Sequence, residues 1–306
     1  MPENAEASRL PLDRRALGLA LTRIANGDLQ LAASPAEGQA AAWRIGITGA
    51  PGAGKSTLAG RLAIERLPGR RVGVLAIDPS SPITGGAILG DRIRMDDLPG
   101  VEALYIRSIG SRSATDGLAD HLPELLAAMD AATFDEVLLE TVGVGQAECA
   151  VRSQVDTLVL VIPPDAGDTV QAMKAGILEV ADIVVVNKAD QPAAQRMAGE
   201  IERIVELTHG GQPDAGGWVP PVLLTAQSQP SSIQALSQHI DRHRAWLEAS
   251  GTQGARRLAR ARYRLRRWLE RRISAELAQA SEGWFERPIT EQLDELLRRI
   301  GTRAKG

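Results

Sequence analysis

Short runs of apolar, often β-branched residues alternate with longer amphipathic stretches through the middle of the chain. The apolar runs cover residues 43–48, 72–77, 101–106, 136–140, 157–162, 183–187 and 222–225. Runs of this length are typical of buried strands, and the stretches between them are typical of helices. The alternation predicts an α/β fold in which helices flank both faces of a mostly parallel sheet.

Both ends of the chain carry helical patterns. Residues 13–25 predict a short helix with Asp13 as its N-cap and Asn26-Gly27 as its stop, followed by a linker rich in Ala, Ser and Gly. Residues 251–254 predict a hinge, after which a long helix and a final helix at 288–300 follow. The chain therefore divides into an N-terminal helical segment with its linker (1–41), a central α/β domain (42–248) and a C-terminal helical arm (249–306).

The composition narrows the class of protein. Of the 306 residues, 44% are hydrophobic and 24% are charged, which is ordinary for a globular chain with a sizeable core. The net charge of −3 argues against a general nucleic-acid-binding protein, and a single cysteine, Cys149, fits a reducing compartment. No apolar run approaches the ~18 residues of a membrane span, and the polar N-terminus lacks a signal-peptide pattern. We expect a cytoplasmic protein without a nucleic-acid or membrane partner.

A glycine-rich loop follows the first predicted strand and precedes a predicted helix that begins near Thr57. It reads Gly49-Ala50-Pro51-Gly52-Ala53-Gly54-Lys55-Ser56 and fits the pattern G-x-x-x-x-G-K-[ST]. In such a loop, backbone N–H groups turn inward around a triphosphate, and the helix N-terminus adds positive potential. Lys55 reaches the β- and γ-phosphates, Ser56 can ligate Mg²⁺, and Thr57 is predicted with the loop to contact the nucleotide. The sequence therefore predicts a P-loop nucleotide site.

A second motif indicates which base is bound. Asn187-Lys188-Ala189-Asp190 fits N-K-x-D and directly follows the β-branched run 183–186. The Asp190 carboxylate can accept two hydrogen bonds from the N1–H and N2 amino groups of guanine, whereas adenine offers no such pair of donors. Alone the match is weak, because Asn, Lys and Asp are ordinary turn residues. Downstream of a phosphate-binding loop and at a strand end, it favours GTP over ATP.

Three further blocks complete a recognisable pattern. They are Val74-Leu75-Ala76-Ile77-Asp78-Pro79-Ser80-Ser81-Pro82 with its continuation to Met95, Glu140-Thr141-Val142-Gly143-Val144-Gly145-Gln146, and Pro163-Pro164-Asp165-Ala166-Gly167-Asp168. With the two nucleotide motifs, they resemble the methylmalonyl-CoA mutase-associated GTPases, formerly described as ArgK-type transport ATPases or kinases. This resemblance implies a G domain that hydrolyses Mg-GTP slowly. It also implies a chaperone that loads or protects the adenosylcobalamin cofactor of an acyl-CoA mutase.

The resemblance also implies a magnesium site. Ser56 would ligate Mg²⁺, while Asp78, Asp91 and Glu140 would surround the metal and its waters. This agrees with the chemistry of Mg²⁺, which keeps several waters that carboxylates can hold. Each acid could instead be a turn or capping residue, since Asp78 precedes Pro-Ser-Ser and Asp91 follows Gly.

Further roles follow from the resemblance at the phosphates and the base. Gly143 would offer its N–H to the γ-phosphate, and Arg94 would neutralise phosphate charge, although Arg92 and a solvated surface role compete. No residue aligns with a water-orienting Gln unless Gln146 moves in, so slow hydrolysis is expected. The loop on the other side of the guanine contains Ala226, Gln227 and Ser228.

The C-terminal arm carries an apolar stripe and many arginines. The stripe consists of Leu258, Leu265, Trp268, Leu269, Ile273 and Leu277. Together with the resemblance, it predicts a homodimer built by the arm. The arginines between 256 and 272 are interpreted as a solvated helix face, with an acidic partner or a phosphate ligand as the alternative.

Other functions stay open. A metallochaperone GTPase for another metalloenzyme would need a Cys/His cluster; His239 and His243 have i,i+4 spacing, but without a third ligand they are interpreted as a solvated pair. A small-molecule kinase would need a phosphoacceptor pocket and no guanine-reading Asp190. A structural dimer with a vestigial site is disfavoured by the intact Lys55, Ser56 and Asp190. The client could be methylmalonyl-CoA, isobutyryl-CoA or 2-hydroxyisobutyryl-CoA mutase.

Overall fold

The computed structural model describes residues 12–27, 41–79, 102–111, 121–141, 151–165, 177–209 and 217–303. Five residues with a predicted or alternative role lie outside these ranges, namely Asp91, Arg92, Arg94, Gly143 and Gln146. The helices are α1 (Arg14–Ala25), α2 (Lys55–Glu65), α3 (Leu122–Ala131), α4 (Ile177–Val180), α5 (Ala193–His209), α6 (Pro230–Ala249), α7 (Gln253–Ala278), α8 (Glu282–Phe285) and α9 (Ile289–Arg303). The strands are β1 (Trp43–Gly49), β2 (Val72–Pro79), β3 (Leu104–Ser111), β4 (Glu136–Glu140), β5 (Thr157–Ile162), β6 (Ile183–Asn187) and β7 (Val222–Thr225).

The strands of the described residues form one parallel seven-stranded sheet in the order β3-β2-β4-β1-β5-β6-β7. Helices α2 and α6 pack on one face of the sheet, where Ile45 and Val185 point into their core. Helix α5 packs on the other face against Leu160 and Val184. The predicted α/β fold with helices on both faces is confirmed, and the parallel arrangement brings the carboxyl ends of all strands together.

Strands β1 and β2 continue one and two residues beyond their predicted ends, and the limits of β3 differ most from the prediction. The run 101–106 predicted β3, but the strand begins at Leu104 and continues to Ser111. The polar residues Arg107 and Ser108 suggested an earlier end. Because β3 is the outermost strand of the sheet, polar side chains are tolerated there, and Arg107 donates from Nη2 to Thr22 Oγ1 of α1 at 2.7 Å.

The N-terminal helix begins and ends as predicted. The Asp13 carboxylate accepts a hydrogen bond from the Ala16 N–H at 2.8 Å, which satisfies one of the unpaired donors of the first turn. After the C-cap Asn26, Gly27 adopts a φ of 93° and stops the helix. The helix packs on the sheet domain, because its residues Leu17, Leu21 and Ile24 are buried.

A buried ion network joins α2, β4 and α6 at the amino end of the sheet. Arg66 and Glu136 are fully buried, and Arg66 Nε donates to Glu136 Oε2 at 2.5 Å. Arg66 also donates to Ser237 Oγ at 2.9 Å and to Asp241 Oδ1 at 2.7 Å. Burial alone would lower the pKa of Arg66, but the hydrogen bonds and charges of Glu136 and Asp241 outweigh it and raise that pKa. The guanidinium therefore stays charged and ties the helices to the sheet.

The interpretation of His239 and His243 as a solvated pair is wrong for His243, which is fully buried. Its Nδ1 lies 2.9 Å from Thr157 Oγ1, and its ring stacks on Trp246 with 5.9 Å between centroids. His239 instead places its Nδ1 2.9 Å from the Ala235 carbonyl oxygen one turn earlier. The two imidazoles have different partners, because residues distant in sequence enclose only that of His243.

The chain forms two compact units, which divide after Gln253. In the second unit, the predicted long helix and final helix are confirmed as α7 and α9. Leu258 and Leu265 of the stripe are 51% and 59% exposed within the single chain. Along the parts of the chain that the structure covers, no helix is long and apolar enough to cross a membrane. The division into 1–41, 42–248 and 249–306 stays a prediction.

Candidate nucleotide-binding site

The glycine-rich loop connects β1 to α2, and its backbone requires glycine at particular positions. Gly49, Gly52 and Gly54 have φ values of 139°, 77° and 85°, in the region that other residues rarely adopt. A Cβ on Gly49 would lie 1.9 Å from the Val161 carbonyl oxygen, and one on Gly54 would lie 2.6 Å from Asn187 Nδ2. The loop therefore depends on glycine both for its turn and for its close approach to neighbouring strands.

Lys55 is the first residue of α2 and returns over the loop that precedes it. Its Nζ donates to the carbonyl oxygens of Gly49 at 2.9 Å and Ala50 at 3.0 Å. The side chain is buried, with only 7% of the residue exposed. A positive charge is therefore held at the loop, where the N-terminus of α2 adds its own positive potential.

Ser56 and Glu140 meet beside the loop. Ser56 Oγ donates to Glu140 Oε1 at 2.5 Å. Glu140 ends β4, the strand beside β1, and is buried. Asp78 lies near the carboxyl end of β2, two residues after Ala76, which pairs with Glu140. The sheet thus brings the backbone positions of Asp78 and Glu140 close together, and Ser56 of α2 joins them through its bond to Glu140.

The N-K-x-D motif begins at the carboxyl end of β6 and is tied to two other loops. Asn187 Nδ2 donates to the Ala53 carbonyl oxygen at 2.8 Å, and its Oδ1 accepts from Thr225 Oγ1 at 2.9 Å. Lys188 has a φ of 57°, which is uncommon for a residue with a side chain and turns the chain sharply. Asn187 therefore links the glycine-rich loop to the end of β7 through a buried amide.

A cavity of about 540 Å³ joins the phosphate-binding loop to the N-K-x-D motif. Its lining includes seven residues with predicted nucleotide contacts: Gly54, Thr57, Asn187, Lys188, Asp190, Gln227 and Ser228. Ala226 is buried instead, and its N–H donates to Ser232 Oγ at 3.2 Å. The predicted contacts stay predictions, but the fold brings these seven residues to one cavity large enough for a small-molecule ligand.

Sequence reasoning missed four lining residues, Leu58, Arg61, Gln191 and Ile233. A signal existed for two of them. Leu58 lies four residues after Gly54 and Arg61 lies four residues after Thr57, so helical periodicity places each on the same side as a residue of the predicted site. Ile233 carried no such signal, because α6 reaches the cavity only through tertiary packing.

The parallel sheet, the glycine-rich loop between β1 and α2, and the N-K-x-D motif facing the same cavity define a P-loop GTPase. The model of the family described as methylmalonyl-CoA mutase-associated GTPase MeaB matches residues 21–282. The chain belongs to this family of guanine-nucleotide-binding GTPases, as the sequence resemblance predicted.

Relatives agree with this assignment. A protein of Pyrococcus abyssi that is named as a GTPase is 40% identical over 261 residues, which are 85% of this chain and 78% of that protein. The mouse protein named methylmalonic aciduria type A homolog, mitochondrial, is 35% identical over 72% of this chain and 54% of its own length. The crystal structure of a LAO/AO transport system kinase superposes with a TM-score of 0.65 at 26% identity, covering 95% of this chain and 94% of that one.

Proposed function

We propose that this GTPase binds Mg-GTP and acts as a chaperone for an adenosylcobalamin-dependent acyl-CoA mutase. In this role it would load or protect the cofactor of the mutase. The observation that carries the nucleotide part is the cavity between the glycine-rich loop and Asp190. The observation that supports the mutase part is membership of a family described as mutase-associated.

The charges around the cavity fit the two ends of GTP. The phosphates lie on the backbone N–H groups of the loop, and Lys55 exchanges the carbonyl oxygens of Gly49 and Ala50 for the β- and γ-phosphates. The guanine lies at the other end, where the exposed Asp190 carboxylate accepts from N1–H and the N2 amino group. Asn187 holds the two ends at a constant separation through its bonds to both loops.

Magnesium fits the oxygen donors beside the loop. A hydroxyl and a carboxylate are the hard ligands that Mg²⁺ takes in proteins, and Ser56 Oγ and Glu140 Oε1 lie 2.5 Å apart. In this proposal Ser56 binds the metal and Glu140 holds one of its waters, with Asp78 and Asp91 as further carboxylates. When bound, the metal would neutralise charge on the phosphates.

Hydrolysis is slow in this proposal. On the sequence resemblance, Arg94 would neutralise the negative charge that develops on the phosphates. On the same basis, the N–H of Gly143 would contact the γ-phosphate. No dedicated water-orienting side chain is assigned, which limits the rate. Loss of the γ-phosphate on hydrolysis would remove its contact with the segment after Glu140. The conformation of this segment would then depend on the bound nucleotide, and the mutase would respond to it.

A mutase client is favoured over a metallochaperone role. Within the described ranges, no group of three or more His, Cys, Asp or Glu residues could hold a metal ion. His239 and His243, the pair best spaced for a metal, have separate partners in the fold. A small-molecule kinase is also less favoured, because a kinase does not require Asp190 to lie in the nucleotide cavity.

The test is cofactor loading on purified mutases. The protein is mixed with methylmalonyl-CoA, isobutyryl-CoA and 2-hydroxyisobutyryl-CoA apo-mutases, and adenosylcobalamin uptake is followed spectroscopically with GTP, GDP or no nucleotide. We expect a complex with one mutase and uptake that depends on the nucleotide. The Lys55→Ala variant should form the same complex without nucleotide control. The chaperone proposal is wrong if no mutase binds while GTP hydrolysis is intact.

A further inference from the structure

Two threonine hydroxyls meet where β1 and β4 leave the sheet. Thr141 Oγ1 donates to Thr48 Oγ1 at 2.9 Å, and both residues are buried, with 1% and 0% of their surface exposed. Thr48 precedes Gly49, the first residue of the glycine-rich loop. Thr141 follows Glu140, the last residue of β4. The pair therefore joins the strand that leads into the phosphate-binding loop to the strand that ends in a predicted neighbour of Mg²⁺.

The hydroxyl bond holds Thr141 rather than Thr48. The backbone of Thr48 pairs with Leu160 of β5, so its position is set within the sheet. The register of β4 with β1 and with β2 ends at Glu140. One residue further on, the Thr141 N–H donates to the Ile47 carbonyl oxygen at 3.1 Å, and its hydroxyl donates to Thr48. Two bonds from Thr141 to β1 therefore fix the direction in which the chain leaves β4.

Burial of these two hydroxyls has a cost that apolar side chains would avoid. Valine has nearly the shape of threonine and fills a buried strand position without a polar group that must lose its water. A hydrogen bond of this kind stabilises a fold only modestly, and replacing both partners by apolar groups of the same shape can be nearly neutral. Stability alone therefore does not require the pair, which favours a role in orientation.

We propose that Thr141 is a positioning residue for GTP hydrolysis and that Thr48 is its anchor. This inference deepens the proposed function and rests on it. Gly143, whose N–H is predicted to contact the γ-phosphate, follows Thr141 by two residues, a span of at most about 7 Å. Over so short a span, a shift at Thr141 would change how the Gly143 N–H meets the phosphate. GDP lacks the γ-phosphate, so loss of the hydroxyl bond should lower turnover without lowering GDP affinity.

The test removes the bond with and without leaving one hydroxyl unpaired. Thr141→Val leaves the Thr48 hydroxyl without this partner, Thr141→Ser keeps both hydroxyls, and Thr48→Val/Thr141→Val removes both. The matched control is Thr157→Val at the amino end of the sheet, where a buried threonine hydroxyl accepts from Trp43 Nε1 at 3.2 Å. Full-length proteins are compared in single-turnover hydrolysis of saturating Mg-GTP, in calorimetric GDP binding and in thermal unfolding.

We expect the rate of single-turnover hydrolysis to fall by about tenfold to a hundredfold in Thr141→Val and in the double valine variant. GDP affinity should stay at the wild-type value in both. The double variant should unfold close to the wild-type temperature, because it leaves no hydroxyl unpaired. Thr141→Ser should keep most of the wild-type rate, since its hydroxyl can still donate to Thr48. Thr157→Val should lower the unfolding temperature and leave the rate unchanged.

Three outcomes would overturn the proposal. The first is a double valine variant that hydrolyses GTP at the wild-type rate, since the pair would then serve packing alone. The second is a double valine variant that does not fold, since the bond would then be needed for stability. The third is a folded Thr141→Ser variant that is as slow as Thr141→Val. In each case, a wild type that binds GDP and hydrolyses Mg-GTP would leave the nucleotide part of the proposed function standing. A wild type that binds no guanine nucleotide would overturn both.

Discussion

Charged groups lie at both ends of the sheet but have different surroundings. At the amino end, Arg66 is enclosed with Glu136 and Asp241, and Arg44 pairs with Asp130 at 2.7 Å. At the carboxyl end, where β1, β4 and β6 lead into loops, Arg61 and Asp190 line an open cavity. The amino end thus resembles a structural core with internal partners, while the carboxyl end presents its charges to a ligand.

The difference follows from what a buried charge costs. Moving an ion out of water is repaid only by a well-placed partner and further hydrogen bonds, which Arg66 obtains from three side chains. A charge that faces a cavity stays partly hydrated and can exchange water for a ligand. Mutations at the amino end should therefore change stability, and mutations at the carboxyl end should change binding and turnover.

The largest effect is expected at Arg66. Arg66→Met leaves the Glu136 carboxylate buried without its main partner and should lower the free energy of unfolding by about 3–5 kcal/mol. Urea denaturation followed by circular dichroism measures this loss, while GDP affinity of the folded protein should not change. The double variant Arg66→Met/Glu136→Leu should recover part of the stability. Loss of GDP affinity without loss of stability would contradict the comparison.

At the carboxyl end, Lys55→Ala should reduce single-turnover GTP hydrolysis by about 100-fold, because it removes the cation next to the β- and γ-phosphates. GTP should also bind more weakly. Thermal unfolding without nucleotide should stay close to that of the wild type, since Lys55 Nζ donates to the carbonyl oxygens of Gly49 and Ala50 in its own loop. Turnover at the wild-type rate would show that this lysine does not serve the phosphates.

Asp190→Asn should change which base the protein prefers rather than the hydrolysis step. We expect GTP affinity to fall by about tenfold to a hundredfold, because the amide presents a donor where guanine also has donors. Xanthosine triphosphate should gain affinity, since its edge has the reversed polarity at that position. Competition binding with GTP, XTP and ATP measures the exchange. Equal affinity of the wild type for ATP and GTP would refute this role of Asp190.

Glu140→Ala should mainly change the magnesium dependence. Removing a carboxylate next to a metal ligand should raise the Mg²⁺ concentration for half-maximal hydrolysis by about tenfold, while GDP binding without metal stays near the wild-type value. Titration of turnover with MgCl₂ measures the shift. An unchanged magnesium dependence would show that the contact between Ser56 and Glu140 serves only the loop.

Removing residues 251–306 is expected to have the smallest effect on the stability of the sheet domain and on its nucleotide binding. This deletion takes away the exposed stripe of α7, including Leu258 and Leu265, which we expect to lie in a homodimer interface. Analytical ultracentrifugation should then detect a monomer that binds GTP as before. A truncated protein that stays dimeric, or a full-length protein that is monomeric at micromolar concentration, would refute the dimer prediction.

Features with local causes were predicted well from the sequence. The Asp13 carboxylate caps α1 by accepting from the Ala16 N–H three residues on, and five of the seven strands lie within one residue of their predicted limits. The glycine-rich loop was equally clear, since a left-handed φ at Gly52 or Gly54 leaves few alternatives to glycine. The same local reasoning placed the end of β3 too early, because the polar Arg107 gave no sign that its partner is Thr22 of α1.

The sequence by itself determined the class of this protein, because the loop at 49–56, the motif at 187–190 and the spacing of the strands are each specified by neighbouring residues. Only the tertiary structure decided which side chains share a cavity and which are buried. It placed Arg61 and Asp190 in the lining of one cavity, enclosed Arg66, and buried His243 while leaving His239 partly exposed. The physical reason is that solvation and pairing depend on groups contributed by distant segments, so residues of the same type on the same helix acquire different environments.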